Sequence, residues 1–253
     1  FLPLVPLRLP RVLQRNALCY SDISLTALYM THKFIPALTF ILLVSYTVIL
    51  CMGNGYACDE SNILSIIDRQ LFGEAHLYQK SPIDPEGFVS TLSAIAHTCI
   101  GFSYGKWIIQ SHQTENKVLR LFLTGFILIS IGYLLADALP LNKRIWSPTF
   151  VLVTCGAASM SLATLMYYID IRNKQKWCRF FIIFGVNPLF LYVLSEVLAI
   201  MMGSTGWKAA AYAAIHSGIT DAYLASAVYA LVFTLFLGGI GYPLYLKKIY
   251  IKL

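Results

Sequence analysis

The residues best suited to chemistry form two short motifs, each directly before an apolar stretch. The acidic motif is Asp84-Pro85-Glu86-Gly87, and the Asn-Lys-Trp motif is Pro140-Leu141-Asn142-Lys143-Arg144-Ile145-Trp146. Two carboxylates at the mouth of a helical bundle could hold a cation or an amino sugar. The alternative is that Asp84 only caps the following helix, with Pro85 and Glu86 in its first turn. A basic pair beside Trp is likewise often only a membrane anchor.

Three further polar residues lie within apolar segments. An ionisable side chain inside a membrane span is costly and usually functional, which makes Glu196 a candidate. Asn187 lies nine positions earlier, nearly opposite on an ideal helix, so only a kink at Pro188 could bring both to one cavity. His97 is a weaker candidate, because a single buried histidine is more often hydrogen-bonded structure than a catalyst. The cysteines show no paired spacing such as C-x-x-C, so no metal site is predicted.

The composition indicates which class of protein must position these residues. Of 253 residues, 58% are hydrophobic and only 12% are charged, whereas soluble domains have about 25% charged residues. So few charges cannot build the solvated surface of a soluble domain of this size. The net charge of +7 is spread over short clusters between apolar runs, which argues against nucleic-acid binding.

A helix needs about 20 mostly apolar residues to cross a bilayer, and about seven such stretches are recognisable. They predict an all-α, polytopic transmembrane helical bundle that forms a single domain over residues 1–253. The predicted segments run near 12–31, 35–52, 88–110, 118–139, 148–169, 180–202 and 223–246. The first carries Arg15 and Asp22 on one helix face, which should turn toward other helices or water and not toward lipid.

The polar joints predict the orientation of the bundle. Residues 54–87 are too polar to be embedded, and residues 203–221 indicate a short interfacial helix. Because basic residues favour the cytoplasm, we place the acidic loop 54–87 and the joint 138–147 on the outer face. The cytoplasmic side then holds a basic cluster. Its members are Arg172, Lys174, Lys176 and Arg179.

Six pieces of the sequence, taken in order, resemble the membrane acetyltransferases typified by heparan-α-glucosaminide N-acetyltransferase and their bacterial relatives of the DUF5009 type. The pieces are Leu9–Arg15, Ile67–Gln79, the acidic motif, the Asn-Lys-Trp motif, Asn187 with Tyr192 and Glu196, and Lys247–Ile249. Each piece alone is weak, whereas six in the same order along the whole chain are specific.

The resemblance implies transfer of an acetyl group from cytosolic acetyl-CoA to the amine of a glucosamine-type sugar across a membrane, here a bacterial inner membrane. The sugar ammonium must first lose a proton to a general base. Family members are thought to use a histidine in their N-terminal third, and that segment has no match here. We therefore expect the chain to be the C-terminal portion of a longer protein that needs upstream helices for the reaction. Arg11 stands where relatives tend to have Gly.

The same resemblance suggests roles for the candidate residues. Asp84 and Glu86 would bind or orient the sugar ammonium. Asn142 and Lys143 would hold sugar hydroxyls or the acyl carbonyl, with Lys143 as an electrophilic stabiliser. Asn187 and Glu196 would line a crevice within the membrane. The basic cluster Arg172, Lys174, Lys176 and Arg179 could attract the phosphates of CoA, although membrane topology alone explains it. Asp84, Glu86 and Lys143 are the catalytic candidates.

Two other functions stay open. A transporter for amino sugars also needs polar residues at mid-membrane, and a non-catalytic membrane protein would agree with the missing histidine segment. The expected partners are membrane lipid and an amino-sugar or glycan substrate, with a homodimer left open.

Overall fold

A computed structural model describes residues 10–78, 81–111, 113–219 and 221–251. Leu9 and Gln79, which belong to the first two family pieces, therefore lie outside the described residues. The regular secondary structure of the described residues is helical, with no strand, which confirms the predicted all-α class. It divides into two compact units, Phe1–Asn173 and Lys174–Leu253, and each is described by itself.

The first unit contains six α-helices within its described residues. They are α1 Val12–Tyr29, α2 Ile35–Met52, α3 Ile63–Phe72, α4 Thr91–Gln110, α5 Thr114–Leu134 and α6 Pro148–Met166, and a π-helical turn Tyr167–Ile171 extends α6. The helix α4 packs against α1, α2 and α6, and α5 lies along α6. A Cβ atom at Gly156 would lie 2.6 Å from the Gly125 carbonyl oxygen, so α5 and α6 touch backbone to backbone.

The polar stretch between α2 and α4 folds onto the helix ends instead of forming an open loop. Asn62 caps α3 by accepting a hydrogen bond from the Leu64 N–H, and its amide nitrogen donates to the Gly55 and Ala57 carbonyls. A core joins this stretch to the end of α2 and to the corner before α6. Its buried members are Tyr46, Leu50, Leu64, Ile83, Val89 and Ile145. The acidic motif is thereby fixed against the helical bundle.

The second unit contains four described α-helices: α7 Cys178–Val186, α8 Pro188–Ser204, α9 Trp207–His216 and α10 Ala222–Leu246. The axes of α7 and α8 differ by 82°, which confirms the break predicted at Pro188. The short helix α9 confirms the helix predicted in residues 203–221.

Four helical stretches in the described ranges are long and apolar enough to cross a membrane, or five if the bent pair α7–α8 is one span. They are His32–Met52, Thr114–Leu134, Pro148–Ile171 and Ala222–Leu246. The helices α1 and α4 occupy predicted segments but are not among the four. The count of seven spans therefore stays a prediction.

Candidate functional site

The buried side chain of Asp84 holds the backbone of the acidic motif in place. Its side chain is only 3% exposed. One carboxylate oxygen accepts a hydrogen bond from the Tyr78 N–H and the other from the Glu86 N–H, each at 2.9 Å. The following helix, α4, begins at Thr91 with Ser90 at its N-cap position. The suggestion that Asp84 caps this helix is therefore wrong. Asp84 lies six residues before the N-cap residue Ser90, and its oxygens bond to N–H groups of the loop instead.

A second buried carboxylate, Asp68 of α3, lies beneath the same loop. Asp68 Oδ1 accepts a 2.8 Å hydrogen bond from the Phe88 N–H, and Oδ2 has no hydrogen-bond partner among the described residues. A Cβ atom at Gly87 would lie 2.0 Å from Oδ2, so only glycine fits against this carboxylate. Burial raises the pKa of Asp68 to about 6, and the charge of Asp84 adds to the rise.

Arg15 of α1 connects the acidic motif to the Asn-Lys-Trp motif. Its Nη1 donates a 2.8 Å hydrogen bond to the Pro85 carbonyl oxygen, and its Cζ lies 4.1 Å from the centre of the Trp146 ring. Glu86 and Asp84 are close enough for their charges to act on the guanidinium. Arg15 is 6% exposed, which agrees with the prediction that its helix face turns away from lipid.

The chain turns a sharp corner at Trp146, just before α6. Trp146 has a φ of +54°, a left-handed conformation that is uncommon for a bulky residue. Buried contacts hold the corner in place. The Tyr46 hydroxyl donates to the Ile145 carbonyl oxygen, and the Ser147 N–H donates to the Asn142 carbonyl oxygen at 3.0 Å. The surroundings thus stabilise a backbone conformation that is unfavourable by itself.

Asn142 and Lys143 differ in their accessibility. The Asn142 side-chain oxygen accepts a hydrogen bond from the Arg144 N–H at 2.9 Å, so part of its amide stabilises the turn itself. Lys143 is exposed at the edge of the corner. A substrate can reach Lys143 more readily than the half-buried Asn142.

A pocket of about 330 Å³ opens between α1, α4 and the Trp146 corner. Its polar lining includes Arg15, His97, Thr98 and Trp146. The rings of His97 and Trp146 lie 5.9 Å apart between centres. His97 lies in a predicted apolar segment without a partner motif, and the fold brings it to the Asn-Lys-Trp corner.

The sequence is similar over 204 residues to two curated acetyltransferases. It is 28% identical to heparan-α-glucosaminide N-acetyltransferase of Mus musculus and 26% identical to that of Homo sapiens, and each alignment covers 74% of this chain. The chain is related to these acetyltransferases. The resemblance drawn from the motifs is therefore confirmed.

The relationship with heparan-α-glucosaminide N-acetyltransferases covers only part of those proteins. The aligned residues make up 30% of the mouse protein and 29% of the human protein, so the chain spans less than a third of their length. No family model matches the chain. The DUF5009 assignment accordingly stays a prediction.

The predicted site residues Asn187 and Glu196 of this acetyltransferase relative belong to the second unit. Asn187 is 3% exposed, and its amide donates to the Ile249 carbonyl and accepts from the Ile251 N–H, both at 2.8 Å. Glu196 and Tyr192 of α8 are exposed. At the break before Pro188, Asn187 is buried and bonds to the chain at the closing family piece, whereas Glu196 is exposed.

The basic cluster is exposed and falls at the boundary of the two units. Arg172 belongs to the first unit, and its Nε donates to the Tyr167 hydroxyl at 3.0 Å. Lys174, Lys176 and Arg179 belong to the second unit. Within the described residues, no group of three or more His, Cys, Asp or Glu side chains could hold a metal ion.

Sequence reasoning missed the part that Asp68 and Tyr46 play in building the site. Asp68 did carry a signal, because it follows Leu64 by four positions on the buried face of α3. A carboxylate on the apolar face of a short amphipathic helix is unusual and marks a specific contact. Tyr46 carried no such signal, since its partner Ile145 lies 99 residues away.

Proposed function

We propose that this protein is a membrane N-acetyltransferase that moves an acetyl group from acetyl-CoA to the amine of a glucosamine-type sugar. The observation that carries the proposal is the contact of Arg15 with both motifs, the Pro85 carbonyl on one side and the Trp146 ring on the other. The acetyltransferase relatives give the reaction type. Because the chain spans less than a third of those relatives, the activity belongs to the full-length protein.

In this proposal Glu86 meets the substrate directly and Asp84 positions the loop. Glu86 is partly exposed, so a sugar ammonium can approach its carboxylate. Asp84 is buried and holds the backbone of the loop through two N–H groups. Lys143, exposed at the corner, and the partly exposed Asn142 would contact sugar hydroxyls.

The remaining assignments of the proposal concern the donor and the membrane. The basic cluster Arg172, Lys174, Lys176 and Arg179 would attract the phosphates of CoA. Loops 54–87 and 138–147 would face the outside of a bacterial inner membrane, with the basic cluster on the cytoplasmic face. The exposed Glu196 would line the crevice through which the acetyl group passes, whereas Asn187, whose amide bonds to Ile249 and Ile251, would hold the backbone of that segment.

The test is an acetylation assay on the full-length protein in liposomes. With isotopically labelled acetyl-CoA and glucosamine, mass spectrometry should detect labelled N-acetylglucosamine. Glu86→Gln should raise the KM for glucosamine about tenfold, which corresponds to about 1.4 kcal/mol of lost interaction. Glu60→Gln is the matched control, because Glu60 lies in the same outer stretch but is exposed and bonded to Arg69 at 3.0 Å.

Three results would contradict the proposal or part of it. Absence of an acetylated product across a panel of sugar amines would exclude the enzyme. Counterflow of labelled glucosamine without acetyl-CoA would favour a transporter instead. If Asp84 and Glu86 variants changed neither activity nor binding, the acidic motif would be structural only.

A further inference from the structure

Two buried polar atoms where α4 meets the Trp146 corner have no hydrogen-bond partner among the described residues. They are His97 Nδ1 of α4 and Trp146 Nε1 of the corner. Buried polar atoms are nearly always hydrogen-bonded, so an orphaned pair at one place needs an explanation. The Nδ1 atom of His97 has no hydrogen-bond partner among the described residues, which does not agree with the expectation that His97 is merely a hydrogen-bonded structural residue.

Both side chains line the 330 Å³ pocket between α1, α4 and the corner. This volume lies at the lower end of the range for small-molecule sites, about 300–1,000 Å³. Arg15 lines the same pocket and stacks on the Trp146 ring. Through its bond to the Pro85 carbonyl, Arg15 also places this pocket next to the acidic motif.

The polar groups of the pocket determine the chemistry of its ligand. An indole N–H can only donate, and a guanidinium can only donate. A ligand that satisfies Trp146 must therefore bring an acceptor oxygen, and an ammonium group cannot do so. Negative charge that develops on such an oxygen is stabilised by a preorganised N–H and a nearby cation.

We propose that this pocket is the acyl-transfer centre, in which the Trp146 indole N–H holds the carbonyl oxygen of the acyl donor and His97 accepts the proton of the attacking amine. This inference rests on the function proposed above. It assigns to this chain a proton acceptor that the family motifs did not supply.

The step balances with the groups named. After the ammonium has released one proton to water, the free amine nitrogen forms a bond to the thioester carbon, and the carbonyl electron pair moves onto the oxygen held by Trp146 Nε1–H. His97 Nδ1 takes the proton that the amine nitrogen loses. The pair returns, the carbon–sulfur bond breaks, and the CoA thiolate leaves and receives the proton from His97.

The backbone of the corner supports a functional role for Trp146. A bulky residue with a φ of +54° is unfavourable, and strained residues that persist cluster at functional sites. The indole ring of Trp146 contacts Arg15 of α1 and His97 of α4. A residue that served only as a membrane anchor would not need this conformation.

The experiment compares two pairs of variants in the full-length protein. Trp146→Phe keeps an aromatic ring but removes the N–H, and should lower kcat about 100-fold without changing the KM for glucosamine. Trp107→Phe, in α4 and packed against Tyr104, is its control and should keep full activity. His97→Gln should lower kcat at least 100-fold and remove the acidic limb of the kcat–pH profile. His32→Gln, beside Phe102, is its control.

A binding measurement separates this inference from the proposed function. Wild-type protein should bind acetyl-CoA about five- to tenfold more tightly than CoA, which is the effect of one hydrogen bond to the carbonyl. Trp146→Phe should abolish the difference, and Trp107→Phe should retain it.

If the wild type is active and the Trp146→Phe and His97→Gln variants are unaffected, the pocket is not the acyl-transfer centre. The proposed acetyltransferase function would not be contradicted by that result. A raised KM for glucosamine with unchanged kcat in Trp146→Phe would also overturn it, since the indole would then bind a sugar hydroxyl. If Trp146→Phe does not fold, His97→Gln and its pH profile decide the question.

Discussion

Replacement of Gly87 by alanine tests how tightly the acidic motif is held over Asp68. The new Cβ would lie 2.0 Å from Asp68 Oδ2 and 2.9 Å from Cγ. The carboxylate cannot simply swing aside, because Oδ1 accepts the Phe88 N–H and the side chain is 1% exposed. Overpacking costs about 1–3 kcal/mol, and loss of the charged hydrogen bond adds about 1.5–3 kcal/mol.

The expected loss of about 2.5–6 kcal/mol should lower the Tm by about 5–24 °C, at about 2–4 °C per kcal/mol for a chain of this size. The assay is thermal unfolding of the purified protein in detergent. Gly101→Ala is the control, because a Cβ at Gly101 of α4 meets nothing within 4 Å. That variant should be neutral or more stable by about 0.5–1 kcal/mol.

The double variant Gly87→Ala with Asp68→Ala isolates the contact. Once the carboxylate is removed, the added methyl group has room, so the two substitutions together should cost less than the sum of their separate effects. Equal stability of Gly87→Ala and Gly101→Ala would refute this packing. Simple additivity of the two substitutions would refute the assignment of the cost to Asp68.

Three further predictions concern the elements around the site. Burial raises the pKa of Asp68 from 3.8 to about 6, so ionisation of this carboxyl opposes folding. The free energy of unfolding should therefore fall by up to about 3 kcal/mol as the pH rises from 4 to 6. Melting curves of Asp68→Asn should not show this decline. Tyr46→Phe leaves the buried Ile145 carbonyl without its donor and should cost about 1–3 kcal/mol in the same assay; an unchanged Tm would disprove that contact. Asn187→Ala removes both hydrogen bonds to Ile249 and Ile251, so amide exchange in residues 247–251 should accelerate, whereas unchanged exchange would show that Asn187 does not hold this segment.

Local signals in the sequence predicted the helices and the break between α7 and α8. Apolar runs of membrane length predict helices regardless of what they pack against, and Pro188 lacks the N–H that a continuous helix needs. The interface of α5 and α6 was harder to foresee. Gly125 and Gly156 lie on different helices, so no spacing within one segment marks their close approach.

The candidate site was predictable in its motifs but not in its connections. The order of the acidic and Asn-Lys-Trp motifs indicated a relationship to the membrane acetyltransferases, and the similarity over 204 residues confirms that relationship. The contacts of Arg15 with Pro85 and Trp146 span 70 and more residues, so they depend on the tertiary fold. The wrong assignment of Asp84 as a helix cap has the same origin. A local pattern of Asp, Pro and Glu suits a helix start, yet the folded loop offers the carboxylate the Tyr78 N–H instead.

Hydrogen–deuterium exchange on the full-length protein tests most directly whether the two motifs form one site. Exchange would be followed by mass spectrometry with and without glucosamine and acetyl-CoA. Our account predicts that ligand slows exchange in residues 81–90 and in residues 142–150 together, while residues 54–60 stay unchanged. Protection of only one of the two segments, or of neither, would contradict the claim that Arg15 joins them into a single substrate site.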